Sequence, residues 1–77
     1  MAEQTENNRE ATLGEQRVQR NFNPSANPTV ETLKQKYADL IDDLEAMKAD
    51  GKNVRCLALA QTELETSCMY AVKSIFA

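Results

Sequence analysis

The apolar positions of this chain fall into two helical stripes separated by a short polar break. The first runs Val30, Leu33, Tyr37, Leu40, Ile41, Leu44 and Met47, mostly at steps of three and four. That spacing keeps them on one face of a helix. Asn27 followed by Pro28 matches an N-cap and a first helical residue. Asp50-Gly51 supplies a C-terminal signal, so the pattern predicts a helix over residues 28–49. The second stripe runs Val54, Leu57, Ala58, Leu64, Cys68, Ala71, Val72 and Ile75, with Asn53 placed to cap it, and predicts a helix over 54–76. The connection is short, so the two helices are expected antiparallel, each about 30–35 Å long at 1.5 Å per residue. The expected fold class is all-α: a two-helix hairpin carrying a polar N-terminal arm.

The arm comes from the opposite pattern. Residues 1–21 are polar with mixed charge, and Gly14 is expected to interrupt any helix beyond a turn around Ala11–Leu13. Residues 1–13 are therefore assigned to a flexible arm and 14–77 to the hairpin domain. Phe22-Asn23-Pro24-Ser25-Ala26-Asn27-Pro28 is turn chemistry, each Pro holding the Asn before it extended.

Length makes the surplus of apolar surface informative. A chain of 77 residues losing about 1.5 kcal/mol of entropy per ordered residue comes out near zero stability alone. Cys56, Leu59, Ala60, Met69, Tyr70 and Phe76 lie off the second stripe, which is more apolar surface than one hairpin contact uses. The expected owner of that second surface is another copy of the chain, a homo-oligomer, with a ligand or an unrelated protein as the alternative. A disulfide does not substitute: Cys56 and Cys68 on one helix stand ~18 Å apart. Free thiols suit a reducing compartment, and no apolar run reaches the ~20 residues of a membrane span. The opening MAEQTENNRE is unlike a signal, so a cytoplasmic location is expected, without a membrane partner.

Charge and composition narrow the chemistry. The chain has 9 Lys+Arg, 12 Asp+Glu and no His, for a net charge of −3. That is a poor start for a DNA or RNA polymer as partner. The absence of His, of a Ser-centred elbow and of a Gly-rich phosphate loop argues against an enzyme, so no catalytic residue is assigned. No metal site or cofactor is expected either, because the Cys/His set that zinc needs is missing. Asp42 with Asp43 and Glu63 with Glu65 point apart on a helix and read as solvated faces.

Two stretches carry a resemblance. The first is Gly14-Glu15-Gln16-Arg17-Val18-Gln19-Arg20-Asn21-Phe22-Asn23-Pro24-Ser25, then Val30, Leu33 and Lys34. The second is Ala58-Leu59-Ala60-Gln61-Thr62-Glu63-Leu64-Glu65, followed by Cys68-Met69-Tyr70-Ala71-Val72-Lys73. In this order they resemble the helical-hairpin domain of phage anti-CBASS cyclic-nucleotide sponges and their anti-Thoeris relatives, over roughly residues 14–76. Tyr70 stands where Trp is usual, and Cys68 where Ala is usual. The resemblance implies a viral antagonist of bacterial CBASS immunity. Such a protein binds cyclic dinucleotides such as 3′,3′-cyclic GMP-AMP, and in some members cyclic trinucleotides, without cleaving them. It also implies interlocked hexamers with ligands at interfaces between chains. The other reading is a helical-hairpin oligomer acting as a protein–protein interaction module.

Four residues are candidates for ligand binding. Phe22 matches the family's aromatic before the first long helix and would stack on a base; its structural alternative is a staple onto Val30 or Leu33. Lys34 matches the family's helical Lys and would neutralise a phosphodiester; its alternative is a solvated pair with Glu31 or another carboxylate at helical spacing. Lys36 ranks below it. Arg55 opens the second helix, where a planar fork and free N–H groups suit an anion; its alternative is a surface pair with Asp50. Thr62, beside Gln61 at the level expected to meet other copies, would hydrogen-bond a ligand at a second site; its alternative is back-bonding to the helix. Tyr37 and Tyr70 are expected as core aromatics, and Met47 and Met69 as packing.

Overall fold

The computed structural model describes residues 10–51 and 53–76; residues 1–9 of the arm expected over 1–13 lie outside them. Three helices follow in order: α1 (Leu13–Arg17), α2 (Pro28–Lys48) and α3 (Val54–Phe76). The two long helices fall where the periodicity places them, with α2 ending one residue early.

Local chemistry explains the boundaries. The Asn27 side chain accepts from the Thr29 and Val30 amides at 2.8 and 3.2 Å, with Pro28 at the first helical position. Asn23 braces the turn before it, accepting from the Asn27 amide at 3.1 Å and donating to the Asn27 carbonyl at 2.8 Å. After Lys48 the chain turns through Gly51 at φ +75°, a conformation that costs glycine little. Asn53 accepts from the Cys56 amide at 3.3 Å and so guards the start of α3.

α2 and α3 pack antiparallel. Tyr37 reaches Ser67 through their hydroxyls at 2.7 Å, while Gln61 donates to the Ile41 carbonyl at 3.1 Å and to Glu45 at 3.0 Å. Gln61 is fully buried. It fills the gap in the second stripe between Ala58 and Leu64, a polar residue on the inner face. The expectation that it meets other copies is therefore corrected: it belongs to the hairpin seam, where an amide can clamp the opposite helix.

The N-terminal segment departs most from expectation. Gly14 does not break a helix; it lies inside α1. Thr12 and Glu15 form a reciprocal capping box that starts this short helix, at 3.1 and 3.0 Å. Gly14 is needed because α1 crosses α2 backbone to backbone. A Cβ at Gly14 would fall on the Ala38 carbonyl. The Gly14 amide, one of the helix-start donors with no internal partner, donates to Asp42 at 2.7 Å. This docking also turns the buried face of α2. Val30, Lys34, Ala38 and Ile41 are buried, while Leu40 and Met47 from the apolar stripe are 45% and 50% exposed. Lys34 and Ala38 were invisible to an apolar count, yet they face α1 and the loop after it.

The resulting core is small. Val18, Ala38, Ile41 and Cys68 form its buried centre, flanked by Tyr37, Leu64 and Val72. The whole is a slab 12 Å across its thinnest direction, about one helix diameter. Globular domains usually bury their faces between two layers. Here Leu59, Met69, Tyr70 and Phe76 remain 49–62% exposed on α3, within a ~120° sector at 100° per residue. Tyr70 and Met69 are thus not core residues, because no second layer covers them within the chain.

Two predictions follow from this packing. Gly14→Ala is expected to cost about 1–3 kcal/mol by forcing α1 off α2; an unchanged urea midpoint and unchanged amide exchange in α1 would contradict the close approach. The Glu45 carboxyl is held below its ordinary value, first by the Gln61 amide and then by Lys48. A depressed carboxylate stabilises the fold above its unfolded pKa of about 4.3 and loses that contribution as pH falls through the folded value. The stability difference between the parent and Glu45→Gln is therefore expected to shrink below pH ~4, read by denaturation across pH.

Candidate functional site

α1 and the loop after it stand beside α3 across a cleft of about 520 Å³, a size within the range of small-molecule sites. Arg17, Val18, Gln19 and Phe22 form one side, and Glu65, Thr66, Cys68, Met69 and Val72 the other. Lys34 reaches it from α2.

Lys34 holds the site together. Its side chain is buried, and its Nζ donates to the Gln19 carbonyl at 2.9 Å and the Phe22 carbonyl at 2.7 Å. Gln19 sits at φ +54°, which bends the chain as α1 ends. The ammonium also lies 5.6 Å from the centre of the Phe22 ring, within cation–π range. Burial pulls the Lys34 ammonium below the usual lysine value; Arg20 adds to this and the Cys68 sulfur opposes it. Burial likewise pushes the Cys68 thiol up, with Lys34 opposing.

Neither plain alternative for these two residues survives. Lys34 is not solvated against Glu31, because Arg20 takes Glu31 at 2.9 Å and Gln35 at 2.7 Å. Phe22 is 64% exposed, so it is no staple buried under the first turn of α2. Its ring lines the cleft.

The other two candidates are placed differently. Thr62 is exposed and does not back-bond; its hydroxyl accepts from Arg17 at 3.4 Å, at the limit of a hydrogen bond, just outside the cleft. Arg55 is exposed and makes no ion pair with Asp50 among the described residues. It lies ten residues before Glu65 on α3, ~15 Å along the axis, and does not join the cleft. Lys36 lies in a shallower depression with Pro28, Thr29, Thr32 and Leu33, apart from Lys34.

Arg17 and Glu65 are the cleft residues that pattern reading passed over. They pair at 3.2 Å and tie α1 to α3. A partnership between residues this far apart in the chain leaves no periodic trace. Among the described residues no group of three or more His, Cys, Asp or Glu could hold a metal ion, and no helix is long and apolar enough to cross a membrane.

The profile of the Acb2/Tad1 hairpin domain matches residues 14–76. The chain belongs to this family. The match begins at Gly14, so the Acb2/Tad1 hairpin takes in α1 and the Phe22 turn as well as the two long helices. No curated protein and no solved structure matches the chain at a significant level. Family membership fits a cyclic-nucleotide sponge, a class of binding proteins rather than catalysts.

The two cleft residues should separate in a stability assay. Phe22→Ala is expected to change unfolding free energy by no more than about 0.5 kcal/mol, as for other exposed side chains. Lys34→Met leaves the Phe22 carbonyl without its donor, while the Gln19 carbonyl keeps the Phe22 amide at 2.9 Å, and is expected to cost about 1–3 kcal/mol. Urea denaturation of both variants checks this, and a neutral Lys34→Met would show that the Phe22 carbonyl finds another partner.

Proposed function

We propose that this Acb2/Tad1 hairpin protein sequesters cyclic oligonucleotide second messengers without cleaving them, and so keeps a bacterial CBASS effector from being switched on. The observation that carries the reading is the Phe22 ring beside the Lys34 ammonium at the edge of one cleft. A flat aromatic stacks on any base and contributes about 1–3 kcal/mol per base, and a cationic lining suits the phosphodiester beside it. The ligands of this reading are cyclic dinucleotides such as 3′,3′-cyclic GMP-AMP. A cyclic trinucleotide would use a second site that includes Thr62, and Arg55 would serve ligand only where another copy brings it to one.

The assembly is part of the proposal. The cleft is open on one side, and the slab leaves the α3 face with Leu59 and Tyr70 uncovered. A homo-oligomer, a hexamer by family expectation, would cover that face and close clefts between chains. A two-fold contact would offer the same groups twice to a pseudo-symmetric ligand. The same uncovered face also favours the second reading, a hairpin oligomer that docks on another protein.

Isothermal titration with 3′,3′-cyclic GMP-AMP, other cyclic dinucleotides, cyclic tri-adenylate and cyclic ADP-ribose isomers tests the function. Binding is expected for at least one, lost in Phe22→Ala, with the ligand recovered intact after heating. Silence across the panel would refute sequestration, and recovered linear product would indicate an enzyme. Sedimentation should find an oligomer that Leu59→Asp dissociates; a stable monomer at micromolar concentration would leave the α3 face to another protein.

A further inference from the structure

Two cations line the cleft, and their donors are spent differently. Lys34 commits two of its three ammonium donors to the Gln19 and Phe22 carbonyls and is 6% exposed. Arg17 engages a single terminal nitrogen, with Glu65 at 3.2 Å and Thr62 at 3.4 Å; its other nitrogens have no partner among the described residues. Its side chain is 23% exposed and lines the cleft.

We propose that Arg17 is the residue that contacts phosphate in this cleft: its guanidinium forks onto a phosphodiester of the bound cyclic oligonucleotide, and Glu65 is the counter-ion that the phosphate displaces. The assignment rests on the sequestration reading and refines it. In it Lys34 is a positioning residue, which holds the Phe22 loop through its carbonyls while its charge adds to the local potential.

The chemistry favours this division. A planar guanidinium presents paired donors that match two phosphate oxygens, whereas an ammonium is a point charge. A partly exposed ion pair is weak, so exchanging Glu65 for phosphate costs little. Glu65 otherwise places a negative charge on the wall that a diester must approach. Neutralising it while the ligand is absent keeps Arg17 at the cleft rather than extended into solvent.

Titration of 3′,3′-cyclic GMP-AMP at low and moderate salt tests the assignment with two variants. Arg17→Gln is expected to lower affinity roughly 10–100-fold and to flatten the salt dependence. Glu65→Gln breaks the same bridge between α1 and α3 but keeps the guanidinium and removes the competing carboxylate. It is expected to tighten binding about three-fold or more. A bridge that serves only to hold α1 in place would make both variants weaken binding together. That parallel loss, or unchanged affinity in Arg17→Gln, would overturn the assignment while leaving sequestration intact. An unmodified chain that binds none of the ligand panel would overturn both.

Discussion

A buried ammonium with no ion pair among the described residues must find its acceptors elsewhere, and in this chain two backbone carbonyls supply them. Lys34 sits on the inner side of α2, where an apolar residue would ordinarily pack, and reaches out to Gln19 and Phe22. Burying a charge is unfavourable unless hydrogen bonds offset it. The two short bonds offset part of that cost, and the loop after α1 is fixed on the hairpin. The position of Phe22, the wall of the cleft and the path into α2 all depend on that arrangement.

The close approach of α1 works with it. Gly14 lets the two backbones touch, Asp42 takes the free amide, and Val18 enters the small core. α1 has only five residues, far too few to be helical alone. It exists because the capping box starts it and the hairpin receives it. The cleft is therefore built from tertiary contacts, with Arg17 and Glu65 joining its two sides.

Thinness links this architecture to assembly. One layer of helices buries only the edges at which they touch, so a ~120° sector of α3 carrying Leu59, Met69, Tyr70 and Phe76 stays exposed. The alternation of Leu59, Met69, Tyr70 and Phe76 with Thr62, Thr66 and Lys73 on that face is the composition of a surface meant for partial cover. In the proposed assembly such a face would serve twice, for stability and to enclose the ligand.

The sequence by itself determined the two long helices, their caps at Asn27 and Asn53, their antiparallel pairing and the excess apolar surface on α3. These follow from periodicity and turn chemistry, which act over a few residues and survive in a one-dimensional pattern. The pairing of Phe22 with Lys34 was legible only through motif resemblance, since nothing local distinguishes a buried Lys from a solvated one. The tertiary structure alone decided that Gly14 joins a helix, that Gln61 is internal, that Tyr70 and Met69 face outward and that Arg55 stands apart from the cleft. It also decided that Arg17 meets Glu65. Each of these depends on which element arrives from elsewhere in the chain, and an approach of two backbones leaves no mark on the spacing of apolar residues.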